Sequence, residues 1–134
     1  MIINCMNLPW PLDKRFINLL QHEISTAGVL GNSGAVASFR DPEYGCATGG
    51  YHPVEIAVSK DGHIQYITDF ALYGAPPHVE LAKEIDFDFE TGTFRHMARE
   101  FPIRRGRDLY EVWEENFIIF YQKGVYRIEI STCG

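Results

Sequence analysis

A chain of 134 residues, 46% hydrophobic and 13% aromatic, has the make-up of an ordinary globular protein and excludes a disordered one. Its 18 acidic and 12 basic residues leave a formal charge of −6, which argues against general nucleic-acid binding, because phosphate neutralisation needs surplus Lys and Arg. Three scattered cysteines (Cys5, Cys46, Cys133) without a CxxC spacing argue against a disulfide framework or a cysteine zinc site.

Pro11 to Thr26 reads as a helix, with Leu12, Phe16, Leu19, Leu20 and Ile24 at helical spacing and Pro11 in the first turn. A glycine-rich loop from Gly28 to Gly34 ends it, and Ala35 to Arg40 is expected to be a strand that runs into an Asp41-Pro42 turn. Val54 to Ser59 alternates, placing Val54, Ile56 and Val58 on one face. Lys60-Asp61-Gly62 supplies a turn, and His63 to Leu72 returns as the partner strand. After the break at Gly74-Ala75-Pro76-Pro77, His78 to Glu84 fits either a short helix opened by Pro77 or extended chain.

Ile85, Phe87 and Phe89 alternate with Asp86, Asp88 and Glu90. A two-residue turn at Thr91-Gly92 then returns the chain over Thr93 to Arg99, in a register that sets Phe89 against Phe94 and Asp88 against Arg95. Phe101 to Arg107 is a connection. A second helix starts at Asp108 with Glu111 as its capping box, and its inward stripe is expected to be Leu109, Val112, Trp113, Asn116, Phe117 and Phe120. Ile118, Ile119 and Tyr121 widen that apolar face, which calls for burial on both sides or for a second subunit. Gly124 ends the helix, and Val125 to Ile130 is a final strand with Tyr126, Ile128 and Ile130 on one face.

Short turns between successive strands favour antiparallel pairing. The expected fold is α+β: one domain over residues 1–134, a two-layer sandwich with a mainly antiparallel sheet of about five to six strands and two main helices packed on one face. Met1 to Leu12 lacks a secretory pattern, and the longest apolar run, near Phe117 to Tyr121, is too short for a bilayer; the inferred location is the cytoplasm, without membrane association.

Four constellations invite chemistry. Asp86, Asp88 and Glu90 share a strand face as a hard cation would require, but Arg95 and Arg99 return beside them, so an ion-paired face is favoured and no metal is expected. Arg40, Asp41, Tyr51, His52, Glu55 and Asp69 form the candidate ligand site. In it His52 is a candidate general base oriented by Asp69 or Glu55, with Arg40 as an anion clamp. His52 and Glu55, three apart, point to opposite faces of a regular strand. Cys46 lies six residues before His52 and would serve as a nucleophile only with a lowered pKa; a small semi-buried cysteine is the simpler reading. Five of the twelve basic residues fall between Arg95 and Arg107, and Arg104, Arg105 and Arg107 are the candidate anion or partner site, although acids on both sides provide internal balance. The glycines of GxxGxxG at Gly28, Gly31 and Gly34 follow a helix and precede a strand, the reverse of a phosphate loop.

The block FRDPEY, GGYHPVEI, YITDF and EIDFDFE, with the closing NF…GVY, resembles domain-of-unknown-function family 2787 over roughly Leu8 to Ile130. The resemblance implies a bacterial one-domain protein and brings no activity, cofactor or functional residue with it. The first functional reading is a non-catalytic binding or interaction domain, without a cofactor, whose partner is another protein or a second copy of itself. The alternative is a small hydrolase using His52 with Asp69 or Glu55.

Overall fold

The computed structural model describes residues 1–28, 33–45 and 47–133. Cys46 and the centre of the glycine-rich loop, Gly31 included, lie outside the described residues.

Helix α1 spans Lys14–Thr26. It begins later than its apolar spacing suggests because Asp13 is the N-cap, its carboxylate accepting from the Arg15 backbone N–H at 2.8 Å. The hydrogen bond from the Arg15 side chain holds the same carboxylate below its ordinary pKa. Phe16, Leu20 and Ile24 of α1 are at most 1% exposed, each burial worth roughly 1.5–3 kcal/mol.

Seven strands form one antiparallel sheet in the order β6-β5-β4-β3-β2-β1-β7. They are β1 (Gly34–Arg40), β2 (Val54–Val58), β3 (Ile64–Ala75), β4 (His78–Asp88), β5 (Thr93–His96), β6 (Arg99–Pro102) and β7 (Arg127–Cys133). A 3-10 turn, Ile103–Gly106, leads into α2, Arg107–Gln122. Ala35, Ala37, Phe39, Val54, Ile56, Val58, Ile67 and Phe87 alternate along their strands and share one core with Phe16, Leu20, Tyr110, Phe117 and Ile118. Both helices therefore cover the same face of the sheet.

The sheet departs from the expected five or six strands in two places, one strand being longer than expected and one run being split into the two strands that bring the count to seven. His78 to Glu84 is strand, paired with β3 from Ala75↔His78 onward. The run Thr93 to Arg99 is broken by Met97 and Ala98, both in the left-handed region at φ 52° and 65°, so that β5 turns back into β6. Gly and Asn are the usual residues at such a turn; Met-Ala carries no sequence signal for it.

The β4–β5 register also differs from expectation, with Phe87 opposite Phe94 and Asp86 opposite Arg95. The connection is longer than Thr91-Gly92 because Asp88 organises it. Its carboxylate accepts from the backbone N–H groups of Glu90 at 3.1 Å and Thr91 at 3.0 Å.

Helix α2 starts one residue before Asp108, and the proposed box is absent. Gly106 is the N-cap without a side-chain bond, and Glu111 instead pairs with Arg107 at 3.0 Å. The inward stripe is rotated as well. Tyr110, Trp113, Glu114, Phe117 and Ile118 are buried, while Asn116 is exposed and Val112 is 62% exposed. A glutamate and a phenol enter the core together because the Tyr110 hydroxyl donates to Glu114 Oε2 at 2.8 Å and the Asp13 backbone N–H donates to the same oxygen at 3.2 Å. Ile118 and Tyr121, read as extra width, face inward; the Tyr121 hydroxyl donates to Glu23 of α1. Most of the wide apolar face is thus consumed within the chain. Gly106 lies against Phe94, whose Cγ would be 2.9 Å from an added Cβ, so only glycine lets the 3-10 turn sit on that ring.

Candidate functional site

The loop from Asp41 to Pro53 is built around one carboxylate. Asp41 accepts from the Glu43 backbone N–H at 2.9 Å and from that of Tyr51 at 3.0 Å. Gly50, at φ +114°, passes so close that an added Cβ would lie 2.7 Å from Asp41 Oδ2. This closure delivers Tyr51 and His52 to the mouth of β2. Because Val54 pairs with Asp69 on β3, the same register brings His52 beside Asp69.

His52 Nδ1 is 2.8 Å from Asp69 Oδ1 and 3.1 Å from Glu84 Oε2. Asp69 Oδ2 accepts from the Trp113 indole N–H at 3.1 Å, so α2 orients the carboxylate. The Tyr44 ring meets the imidazole edge to face at 5.4 Å, and its hydroxyl accepts from the Leu72 backbone N–H at 3.0 Å. The hydrogen bond to Asp69 raises the His52 pKa above its ordinary value. Burial opposes this, and the charges of Asp69 and Glu84 add to it.

Beside this cluster lies a cleft of about 330 Å³, lined by Tyr51, His52, Asp69, Trp113, Asn116, Phe117, Phe120 and Tyr126, with Gly50 and Val54. Tyr51 and Phe120 form its rim, with ring centroids 4.5 Å apart. Burial, and then the nearby Asp69 and Asp41, push the Tyr126 phenol well up.

The candidate ligand site of the sequence is therefore divided. His52, Asp69 and Tyr51 meet at the cleft, with Asp41 as their support. Glu55 and Arg40 face the other side of the sheet. Glu55 Oε2 accepts from the Tyr66 hydroxyl at 2.5 Å, and the Arg40 side chain donates to Ser38 Oγ at 3.3 Å. Strand alternation sends both away from the helices, which rules Arg40 out as a clamp and Glu55 as the orienting acid for His52. Asn116, read as part of a core stripe, instead lines the cleft.

Glu84 was not legible as a site residue. The β3–β4 register shifts between Asp69 and Phe70: Asp69 pairs with Ile85 and Phe70 with Lys83, which leaves Glu84 as the extra residue of a β-bulge. No residue type near Glu84 announces that bulge.

Elsewhere the acidic strand face is dispersed into structural tasks. Asp86 accepts from the Thr68 hydroxyl at 2.7 Å, Asp88 holds its turn, and Glu90 accepts from the Gln65 amide at 3.3 Å. In the arginine segment, Arg107 is tied to Glu111 while Arg99 and Arg105 both lie over the Phe101 ring, at 5.9 and 5.3 Å. Arg104 is exposed and forms no ion pair among the described residues. Among those residues no helix is long and apolar enough to cross a membrane.

By class, this is an α+β protein with a seven-stranded antiparallel sheet whose helix-covered face carries an aromatic cleft. The chain belongs to the family described as Protein of unknown function (DUF2787), matched over residues 14–131. It is similar to the hypothetical protein VC0508 from the Vibrio cholerae VSP-II pathogenicity island, at 35% identity and a TM-score of 0.78, over 90% of this chain and 94% of that one. It is also similar to the conserved hypothetical protein VC1805 from pathogenicity island VPI-2 of Vibrio cholerae O1 biovar eltor str. N16961, at 37% identity and a TM-score of 0.77, over 90% of this chain and 95% of that one. That second protein is described as sharing structural homology with the human P32 protein. No curated protein matches the chain.

Proposed function

We propose that this chain is a non-catalytic binding domain that receives a planar group, from a small ligand or from a partner protein's side chain, in the cleft beside His52 and Asp69. The observation that carries the reading is the lining itself: five aromatic rings (Tyr51, Trp113, Phe117, Phe120, Tyr126) around three polar anchors, His52, Asp69 and Asn116. Apolar walls with few polar groups are the general character of ligand sites. Ring stacking supplies area, and the anchors select the hydrogen-bonding edge of the guest. Trp113 lies in the wall, so its fluorescence reports occupancy. Titration with small aromatic acids, aromatic amines and nucleosides is expected to quench it for at least one class. Phe120→Ala and His52→Gln should each weaken that class by about tenfold, roughly one lost stacking or charged hydrogen-bond contact. Silence across all three classes, or unchanged affinity in both variants, sinks the reading.

A hydrolytic reading has one observation in its favour: Asp69 holds Nδ1 of His52 while Nε2 has no hydrogen-bond partner among the described residues, the arrangement of an oriented general base. Among the described residues no Ser, Thr or Cys lines the cleft, so with these residues the base would act on water. Hydrolysis of a p-nitrophenyl ester that His52→Gln abolishes would support it; turnover equal in that variant removes it.

A further inference from the structure

We propose that His52, Asp69 and Glu84 form a binding site for a divalent first-row transition-metal ion. The site shares His52 and Asp69 with the cleft, and the inference does not depend on which guest the cleft receives. It rests on three donors reaching one point from three elements: the loop before β2, the middle of β3 and the bulge of β4. One ligand atom from each lies within 4.8 Å of the others, and His52 Nδ1 is 2.8 Å from Asp69 Oδ1 and 3.1 Å from Glu84 Oε2. Donors around an ion held at about 2.1 Å stand roughly 3 Å apart, so the spacing suits a shared cation with little rearrangement.

Counting protons gives a second argument. Nδ1 carries at most one hydrogen, yet two carboxylate oxygens are directed at it. Among the described residues, Glu84 has no other hydrogen-bond donor for its side chain, and no Lys or Arg forms an ion pair with Asp69 or Glu84. Even with His52 protonated, the cluster keeps a net negative charge, with side-chain exposures of only 13% for Asp69 and 31% for Glu84. A dication bound to three lone pairs satisfies all three groups at once, which one proton cannot do.

The surroundings match those of a metal ligand. The Trp113 indole N–H occupies Asp69 Oδ2 and leaves Oδ1 turned toward the site, the outer-shell hydrogen bond that fixes a coordinating carboxylate. The bulge leaves Glu84 unpaired next to Ile85, the partner of Asp69, a device common beside functional sites. One imidazole and two carboxylates favour zinc, manganese or ferrous iron over magnesium or calcium, and three protein ligands leave coordination positions for water or a guest. With Nδ1 bound to an ion, the imidazole proton sits on Nε2, so the metal-loaded form excludes His52 as a general base.

The test uses the purified full chain, stripped with EDTA and titrated at neutral pH with Zn2+ and, separately, Mn2+, Mg2+ and Ca2+, by calorimetry and thermal melting. One equivalent of Zn2+ or Mn2+ should bind and raise Tm. Glu84→Gln and Asp69→Asn should each weaken that affinity about tenfold or more, and Trp113→Phe should weaken it less. In the metal-free protein, Glu84→Gln should leave Tm unchanged or higher. Absence of stoichiometric binding, tighter binding of Mg2+ or Ca2+, or equal Zn2+ affinity in the Glu84 and Asp69 variants would overturn the proposal. So would a marked loss of Tm in metal-free Glu84→Gln, which would make Glu84 a plain salt-bridge partner of His52.

Discussion

Glu114 occupies the heart of α2, where a carboxylate is costly and an alkyl chain would be cheap. It is 8% exposed, and burial lifts its pKa above the ordinary 4.5, although the bonds from the Tyr110 hydroxyl and the Asp13 N–H pull the other way. The sign of the pH effect follows from a folded-state pKa above the unfolded one. The extra stability is fully present at and below about pH 4.5 and is lost as pH rises through the elevated value. Glu114→Gln mimics the protonated acid and keeps an acceptor for both donors. Thermal melts of the two proteins from pH 4 to 7 should therefore show the variant gaining on the parent as pH rises. A constant or shrinking difference would mean that Glu114 is ionised in the fold at no cost. Trp10 is the opposite case: its indole Nε1 is buried without a hydrogen-bond partner among the described residues, while its ring packs on Phe87, Phe89 and Tyr110. The area of the ring outweighs the missing bond, a loss of about 1–3 kcal/mol.

At the scale of an element, α2 separates apolar composition from apolar placement. Val112 and Ile118 are both branched aliphatics on one helix, yet Val112 is 62% and Ile118 only 1% exposed. Ile118→Ala should destabilise by about 2–5 kcal/mol, through lost burial and the cavity it leaves. Val112→Glu should stay within about 0.5 kcal/mol. Urea denaturation of both variants decides this, and comparable losses would restore the stripe read from spacing alone. The same rotation points Trp113 at Asp69 and leaves Asn116 at the cleft, so the orientation of α2 also sets the chemistry of the site.

For the molecule as a whole, strands β2 and β3 are bordered on both sides and roofed by the helices, whereas the outer part of the β3–β4 ribbon is not. Beyond Leu72 and before Glu84 no other strand borders that ribbon, because β2 reaches only to Val54 opposite Asp69 and β5 only to His96 opposite Ile85. Two-stranded ribbons without further support are marginal in water. Native-state hydrogen exchange should be slowest at Ile56 and Ile67 and faster by orders of magnitude from Tyr73 to Leu81. Equal protection along the ribbon would mean that another surface covers it.

Period-2 alternation at Val54–Val58 and Ile85–Phe89, helical spacing at Phe16–Ile24, and the glycine at Gly124 determined the elements, because these patterns are local and the backbone reads them directly. The partnership of His52 with Asp69 was already a candidate in the sequence, where Asp41 was grouped with them as a candidate ligand residue. The tertiary structure alone decided the seventh strand, the β4–β5 register, the face of α2 and the arrival of Glu84. Each of these depends on something that hydrophobic spacing does not encode: a left-handed Met-Ala turn, an aspartate that gathers a turn, a phenol that makes a glutamate fit to bury, and one extra residue in a strand. A bulge shifts its residue out of register without changing its chemistry, which is why the third member of the cluster becomes visible only once β3 and β4 lie side by side.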